Sequence, residues 1–479
     1  MVVAFLRRWP IQARSFPCAF YSTNSPPRLF PPLQLFSCES PNELETLPEV
    51  READQLTACG HFSQASEHVS RAIDIIKNVP DPSFTIPLYY RMIKLMQYQG
   101  NLAKETAVTK QLIEALSGLP TRSEQAESLL IKAITSLAVC HLRSRPSVQT
   151  AGSEEDFTGN FVRGLTEQRE RLSQLGLTAG VAKCHILQGL GLFLGRETST
   201  ECRDEWCKAR ALGKGIESEH VLCGDSHLLE SRYWEAVLQT QHLQPDEQTQ
   251  AKRSQEDSLQ AAVAAYQRSC EQQANRSPPS SQGDGGHAGD DEGGTAHTSS
   301  SSLAQSPQVL LSAALLASGS LERAKEGLNI LEKTAGSNHP LVSDALRVVA
   351  GLFHEQGEAL SSEGLFRSAV AKLQRPAPFA VTAFTEAALA DTLADYAYLL
   401  CHLEWNGKLR TNEAINQLSM LADLSHSPSS RCFELNQETA EILRTQRDKG
   451  ATTAAAALKP LLLKRTNSIP RWLQWRYSL

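Results

Sequence analysis

Long apolar runs and strand-like alternation are both missing from this sequence of 479 residues. No stretch approaches the roughly 18 consecutive apolar residues that a membrane-spanning helix needs. The most apolar segment, residues 181–194, is interrupted by Lys183, His185 and Gln188, and it predicts a buried helix. Alternation of Val, Ile and Thr with polar residues, which is typical of strands, is hard to find. Leu and Ala, which are strong helix formers, carry the apolar share, so an all-α fold is expected.

Motifs of enzymes are also lacking. The chain contains no Walker loop, no nucleophile elbow and no His-Glu-x-x-His. Gly189, Gly191 and Gly195 follow no predicted strand, which favours close helix packing over dinucleotide binding. The adjacent Asp-Ser-His of residues 225–227 does not make a catalytic triad, because a triad is defined in space. The expectation is a protein without enzymatic activity, catalytic residues or a cofactor.

Charge and cysteine usage narrow the possible partners. The net charge is −6 and no basic stripe is interleaved with aromatic residues, so nucleic acid is not an expected partner. The eleven cysteines lack disulfide spacing and are expected to be buried thiols in a reducing compartment. One dense group of cysteines and histidines lacks the closely spaced ligand pairs of zinc modules. No metal site is therefore predicted, and zinc binding is only a remote alternative. This group consists of Cys202, Cys207, His220, Cys223 and His227.

Acidic residues are absent from residues 1–38, and the first one is Glu39. The stretch is also rich in serine and contains four arginines, Arg7, Arg8, Arg14 and Arg28. This composition is typical of an organellar transit peptide. A mitochondrial location is expected, ahead of a plastid. The alternative is a proline-rich tail of accidental composition on a cytoplasmic protein.

Internal repetition is the most informative feature that is present. Two blocks share a glycine, an aromatic residue or leucine two positions later, and an alanine three positions further. They contain Gly60, Phe62 and Ala65, and Gly319, Leu321 and Ala324. Looser copies contain Gly100 with Leu102, and Gly357 with Phe366 and Ala369. The glycines are spaced by about 40 residues, a period typical of stacked helical hairpins.

Each repeated position has a physical reason. Glycine ends the first helix of a hairpin, because it enters the left-handed conformation at little cost. The apolar residue two positions later fills the corner of the hairpin. The small residue lies where two antiparallel helices cross closely.

This pattern resembles the tetratricopeptide repeat family, and most closely the repeats of kinesin light chains. In those repeats a His-Pro dipeptide precedes each unit, as His339-Pro340 does here. Three departures are the absence of Trp from the first helix, Ser362 where Ala is usual, and uneven spacing. The resemblance implies an α-solenoid of antiparallel helical hairpins that holds a protein or peptide.

The expected organisation has five parts. The segment before residue 307 is rich in Gly, Ser and Asp and cannot bury enough surface to fold. The parts are a transit peptide (1–38), an N-terminal helical-repeat block (49–275), a disordered linker (276–306), a C-terminal repeat block (307–445) and an Ala-rich, basic and aromatic tail (446–479).

The tail offers two further hypotheses. Ser468 lies in an Arg-x-x-Ser-x-Pro string and is a candidate phosphosite that an arginine cluster could bind. Residues 471–477 combine arginines with three aromatic residues. They fit either peripheral contact with a membrane or docking onto the helical fold, and docking is favoured because solenoid ends need covering.

The functional expectation is a non-enzymatic interaction scaffold, acting as a mitochondrial assembly or maintenance factor. The alternative is a cytosolic adaptor like kinesin light chain, which would need a heptad coiled coil that the sequence lacks. Tyr90, Lys94 and Gln97 are weak candidates for the partner-binding face.

Overall fold

A computed structural model describes most of the chain from residue 42 onward. The described residues are 42–77, 82–119, 122–144, 153–195, 199–241, 243–276, 306–374, 382–405, 408–424, 441 and 477. The predicted transit peptide, nearly all of the predicted linker, and Ser468 therefore lie outside the described residues.

The described chain is helical apart from its loops and one pair of two-residue strands, which confirms the all-α prediction. The first helices are α1 (Asn42–Thr46), α2 (Pro48–Ala58), α3 (Phe62–Ile76), α4 (Pro82–Gln99), α5 (Leu102–Ser117), α6 (Glu124–Arg143), α7 (Ser153–Gln174), α8 (Thr178–Gly195) and α9 (Glu201–Gly213). They are followed by α10 (Glu219–Thr240), α11 (Pro245–Arg276), α12 (Pro307–Leu316), α13 (Leu321–Ala335), α14 (Pro340–Glu355), α15 (Ala359–Gln374), α16 (Ala383–His402) and α17 (Thr411–Leu424). Between the last two, strands β1 (Glu404–Trp405) and β2 (Lys408–Leu409) form a minimal antiparallel pair.

Four helix-to-helix turns are made by the glycines of the repeat pattern. Gly60, Gly100, Gly319 and Gly357 have φ values of 79°, 68°, 65° and 81°. In each case the next helix begins two residues after the glycine. A left-handed residue stops the first helix and reverses the chain within a few residues, so consecutive helices lie side by side.

Helices contact one another in a regular succession. Each helix from α1 to α17 packs against the next one along the chain. Four pairs of even-numbered helices also contact each other: α6 with α8, α8 with α10, α12 with α14, and α14 with α16. Finally, α16 contacts α4, which lies near the opposite end of the described chain.

One buried cluster contains residues from helices before residue 277 and from a helix after residue 305. The cluster contains Leu228 from α10, Leu259 and Tyr266 from α11, and Leu311 and Leu315 from α12. The helices on the two sides of the predicted linker therefore share a hydrophobic core. Among the described residues, no helix is both long enough and apolar enough to cross a membrane.

Candidate interaction site

The residues of the repeat pattern lie in the hairpin cores. Ala65, Ala324 and Ala369 are completely buried, and Leu102 is half-buried. Phe62, Leu321 and Phe366 are also buried. These positions hold the hairpins together and leave no side chain for a ligand.

Ser362, the departure from the usual alanine, is completely buried at a helix contact. Its Oγ donates a hydrogen bond of 2.7 Å to the carbonyl oxygen of Ala350 on α14. A satisfied hydroxyl group avoids the cost of burying an unpaired one. A serine at this position is therefore compatible with the close crossing of α14 and α15.

The His-Pro pair starts α14. His339 is its N-cap residue, and the His339 Nδ1 accepts a hydrogen bond of 3.2 Å from the backbone N–H of Leu341. Pro340 occupies the first helical position, where its missing N–H costs nothing. Burial lowers the pKa of His339 to about 4, so the ring is neutral and its Nδ1 is available as an acceptor.

Gly189, Gly191 and Gly195 of α8 make close helix contacts. A Cβ atom at Gly189 would lie 2.4 Å from Nε1 of Trp206 on α9, and one at Gly191 would lie 2.3 Å from Cε1 of Phe161 on α7. Gly195 likewise faces a side chain of α7 at 2.4 Å. Only hydrogen fits at these positions, so the glycines allow α8 to lie deep between its neighbours.

A stripe of partly exposed side chains runs along α16, whose other faces are buried. Its polar members recur at helical spacing and continue onto α14, which contacts α16. We call this set the polar stripe; it consists of Asp391, Asp395, Tyr398 and His402 on α16 and Asp344, Arg347 and His354 on α14.

Ion pairs connect the two halves of the polar stripe. Arg347 Nη1 donates to Asp395 Oδ2 at 2.7 Å, and Arg347 Nε donates to Asp344 Oδ1 at 3.0 Å. Burial opposes the positive charge, but the two carboxylates outweigh it and raise the pKa of Arg347. This guanidinium is therefore fixed as a cation between α14 and α16.

Aromatic rings form the other end of the polar stripe. The His354 ring lies 5.7 Å from the Tyr398 ring and 5.4 Å from the His402 ring, measured between centroids. Burial, followed by the nearby His402, lowers the pKa of His354. The stripe thus combines charges, hydrogen-bonding groups and flat rings, which are the groups that hold extended peptides.

Helix α10 carries a cation, Arg232, whose charge interacts with the polar stripe. Arg232 lies two turns after Asp225 and therefore on the same face of α10. Burial lowers the pKa of Arg232, Glu235 counteracts this effect, and the positive charge of Arg347 lowers the pKa further. Arg232 is therefore close enough to Arg347 of the polar stripe for the two charges to interact.

Asp225 is the centre of a buried group that we call the tyrosine pocket, formed by Gly224, Asp225 and Tyr266. The hydroxyl of Tyr266 on α11 donates to Asp225 Oδ1 at 2.8 Å. The hydroxyl of Tyr477 donates to Asp225 Oδ2 at 2.6 Å. Asp225 and Tyr266 are completely buried, and Tyr477 is 2% exposed.

Tyr477 thus docks onto the helical fold, but in the middle of the helix series and not at one of its ends. The prediction of a membrane contact by this tail concerns residues that otherwise lie outside the described part. In the described conformation the Tyr477 side chain is enclosed by protein.

The adjacent Asp225, Ser226 and His227 point to different partners. Ser226 Oγ donates to the carbonyl oxygen of Leu222 at 2.8 Å. The Nδ1 atom of His227 lies 3.7 Å from a carboxylate oxygen of Glu230. The three side chains therefore do not assemble into a relay.

The weak candidates on α4 are mostly engaged within their own hairpin. Tyr90 is buried, and Lys94 Nζ lies 5.7 Å from the centre of its ring. Burial lowers the pKa of Lys94 to about 8, although Glu105 counteracts this effect. Gln97 Nε2 donates to Glu105 Oε1 on α5 at 3.0 Å.

The dense Cys and His group is spread over several environments. Cys202 is buried and its thiol donates to the carbonyl oxygen of Ser199, whereas Cys207 is exposed and accepts from Arg210. Burial raises the pKa of Cys202 to about 12. Within the described ranges, His, Cys, Asp and Glu side chains nowhere gather in threes as a metal ion would require.

No model of a known protein family matches the chain, and no curated protein matches it either.

Proposed function

We propose that this protein is a non-enzymatic interaction scaffold, whose helical hairpins stack into a tetratricopeptide-like superhelix around an extended protein segment. The observation that carries the proposal is the set of contacts between even-numbered helices. The last of these contacts joins α14 and α16, the two helices that carry the polar stripe. In such an arrangement the even helices form the inner wall and the odd helices form the outer one.

The side chains of the two walls support this assignment. Even helices are covered on most sides, so their remaining polar groups are concentrated in narrow stripes such as the polar stripe. Odd helices carry fully exposed charges, for example Glu322 on α13, whose side chain is 85% exposed. A narrow, partly enclosed surface with fixed charges and rings suits a peptide, which needs main-chain hydrogen bonds and side-chain pockets.

The contact between α16 and α4 adds to the proposal, because it brings late and early helices together. A superhelix that returns on itself would enclose its inner surface and protect a bound segment from water. Charged groups on such a surface act more strongly than on an open one.

The test compares an inner charge with an outer one. Asp391→Lys reverses a half-buried charge of the polar stripe, and Glu322→Lys makes the same change on the outside of α13. Proteins captured by wild-type and variant chains are compared by quantitative mass spectrometry. The proposal predicts at least a tenfold loss of the captured set for Asp391→Lys and no change for Glu322→Lys. Equal capture by both folded variants would contradict it.

We further propose a mitochondrial role in assembling or maintaining other proteins, supported by the acid-free, Arg-rich residues 1–38. A fluorescent tag after Leu479 should report mitochondria for the full sequence and cytosol when residues 1–38 are removed. Cytosolic signal from the full sequence would exclude the organellar location and leave the scaffold proposal to its own test.

A further inference from the structure

We propose that the tyrosine pocket is a binding site for the tyrosine side chain of a peptide segment, and that Tyr477 occupies it as an intramolecular competitor of the partner. This inference rests on the proposed scaffold function and names the contact through which that function is regulated. The observation behind it is that one buried carboxylate accepts a hydrogen bond from each of two phenols.

The chemistry of the pocket selects a phenol. Asp225 presents one oxygen to Tyr266, which is part of the fold, and the other to Tyr477, which is 252 residues away in sequence. Tyr477 belongs to the same buried cluster as Leu222 and Leu229. A ligand for this position must therefore combine a flat apolar body with a neutral donor at its tip, which is the description of a tyrosine side chain. Hydrogen bonds to a carboxylate are stronger than those between neutral groups.

The pocket is preformed by the helices. A Cβ atom at Gly224 would lie 2.4 Å from Cε1 of Tyr266, so the glycine allows the Tyr266 ring to lie flat against α10. This contact fixes the Tyr266 hydroxyl on Asp225 Oδ1. The second oxygen is then held in a defined direction, where it accepts the hydrogen bond from the Tyr477 hydroxyl.

The position of the pocket connects it to the proposed groove. The pocket lies on α10 and α11, which share a buried cluster with α12, and α12 contacts α14 of the polar stripe. We expect a partner segment that lies along the polar stripe to extend toward the pocket. Loss of the Tyr477 hydrogen bond from a buried carboxylate would be costly, so a ligand that supplies another phenol is favoured over an empty position.

Competition between the attached segment and a free peptide should change the measured affinity for the peptide by a predictable factor. A segment joined to the same chain has an effective concentration in the millimolar range. A free peptide with a dissociation constant near 10 µM would then appear roughly a hundredfold weaker while the attached segment is in place. Removing the Tyr477 side chain should therefore increase the affinity for a free peptide.

The experiment uses full-length protein and a fluorescent peptide with the sequence of residues 470–479. The Tyr477→Ala protein should bind this peptide at least tenfold more tightly than the wild type does. A peptide with Phe in place of Tyr lacks only the hydroxyl and should bind the Tyr477→Ala protein about tenfold more weakly. Adding Asp225→Asn should remove the difference between the two peptides.

Each other outcome contradicts the inference. Equal binding to wild-type and Tyr477→Ala proteins would mean that nothing competes, and equal binding of the Tyr and Phe peptides would mean that the phenol is not recognised. Loss of cooperative unfolding in Tyr477→Ala, with normal unfolding of Tyr477→Phe, would make the ring a core element and overturn the site. In all three cases Asp391→Lys still tests the scaffold separately.

Discussion

At the scale of single residues, helices α8 and α10 approach their neighbours through glycines, and the space they leave is filled by aromatic rings. Trp206 lies against Gly189, and Tyr266 lies against Gly224. Protein interiors are packed as densely as organic crystals, so such sites tolerate no added atoms. The same contact that packs α10 against α11 also aims the Tyr266 hydroxyl at Asp225.

Gly224→Ala should therefore disturb both packing and the tyrosine pocket. The added Cβ would lie 2.4 Å from the Tyr266 ring, which must move away from Asp225. We expect a loss of about 2–3 kcal/mol in the free energy of unfolding, as overpacked cores show, measured by denaturant titration. Gly164→Ala on α7 is the control, since nothing lies within 4 Å of its added Cβ. Equal stability of the two variants would show that the ring contact is not tight.

These residues also mark where prediction from sequence ends. The spacing of Gly189, Gly191 and Gly195, without a strand before them, correctly indicated helix packing. The local sequence pairs Asp225 only with Ser226 and His227, whereas its hydrogen-bond partners Tyr266 and Tyr477 are far away in sequence. A glycine next to an aspartate inside a helix was the available signal, but no local rule connects it with Tyr266 or Tyr477.

At the scale of elements, the hairpin turns depend on left-handed glycines. Gly357 has a φ of 81° between α14 and α15, whereas Gly364 lies within α15 with open space around it. Gly357→Ala should cost about 1–2 kcal/mol, because a side chain is strained at positive φ. Gly364→Ala should be neutral or stabilising by up to about 1 kcal/mol. Thermal unfolding of both variants measures the difference, and a stabilising Gly357→Ala would contradict the account of the turn.

The stability of the protein should depend on pH through His339 at the start of α14. Burial lowers the pKa of His339 to about 4, below its ordinary value of 6.5. The His339 imidazole therefore binds a proton more readily in the unfolded chain than in the folded one. The stability that neutral His339 contributes is present above pH 6.5 and is lost as the pH falls toward 4. His339→Asn keeps a capping acceptor and should lose less stability over this range, while His339→Ala should lose about 1 kcal/mol already at pH 7. Denaturant titrations of all three proteins at pH 7 and pH 5 measure the effect; parallel losses in wild type and His339→Asn would exclude the histidine as its source.

Helices and their turns were well predicted because their signals are local. The four repeat glycines, the His-Pro start of α14 and the leucine and alanine stripes act within a few residues. The packing of even helices on one another depends on contacts between segments far apart in sequence, such as Arg347 with Asp395. Tyr90 and Gln97, the weak candidates for the partner-binding face, illustrate this difference between local and long-range signals. Tyr90 is buried, and Gln97 donates a hydrogen bond to Glu105 in the same hairpin.

At the scale of the whole molecule, the described helices on both sides of residues 277–305 share one buried cluster. Covalent continuity through this segment should therefore be dispensable for the folded state. A protease site introduced near residue 290 and cleaved after purification should leave two fragments that co-elute in size-exclusion chromatography and unfold in one transition. Separation of the fragments without denaturant would show that the two helical blocks are independent.

The proposed scaffold function predicts ligand binding on the inner side of the superhelix. Two large apolar residues among those described, Ile75 and Leu360, are more than half exposed, and they belong to the odd helices α3 and α15. The partly exposed aromatic ring of Tyr398 belongs to the even helix α16 and to the polar stripe. Tyr398 on the proposed inner wall and Leu360 on the proposed outer wall are both large side chains, so a probe of the same kind can replace either of them.

Site-specific photocrosslinking makes that comparison. A benzophenone amino acid replaces Tyr398 on the inner wall or Leu360, whose exposed fraction is 81%, on the outer wall. The scaffold account predicts that illumination in cells joins a partner protein to the Tyr398 position and yields no such product at Leu360. Partner adducts at Leu360 with none at Tyr398 would contradict it.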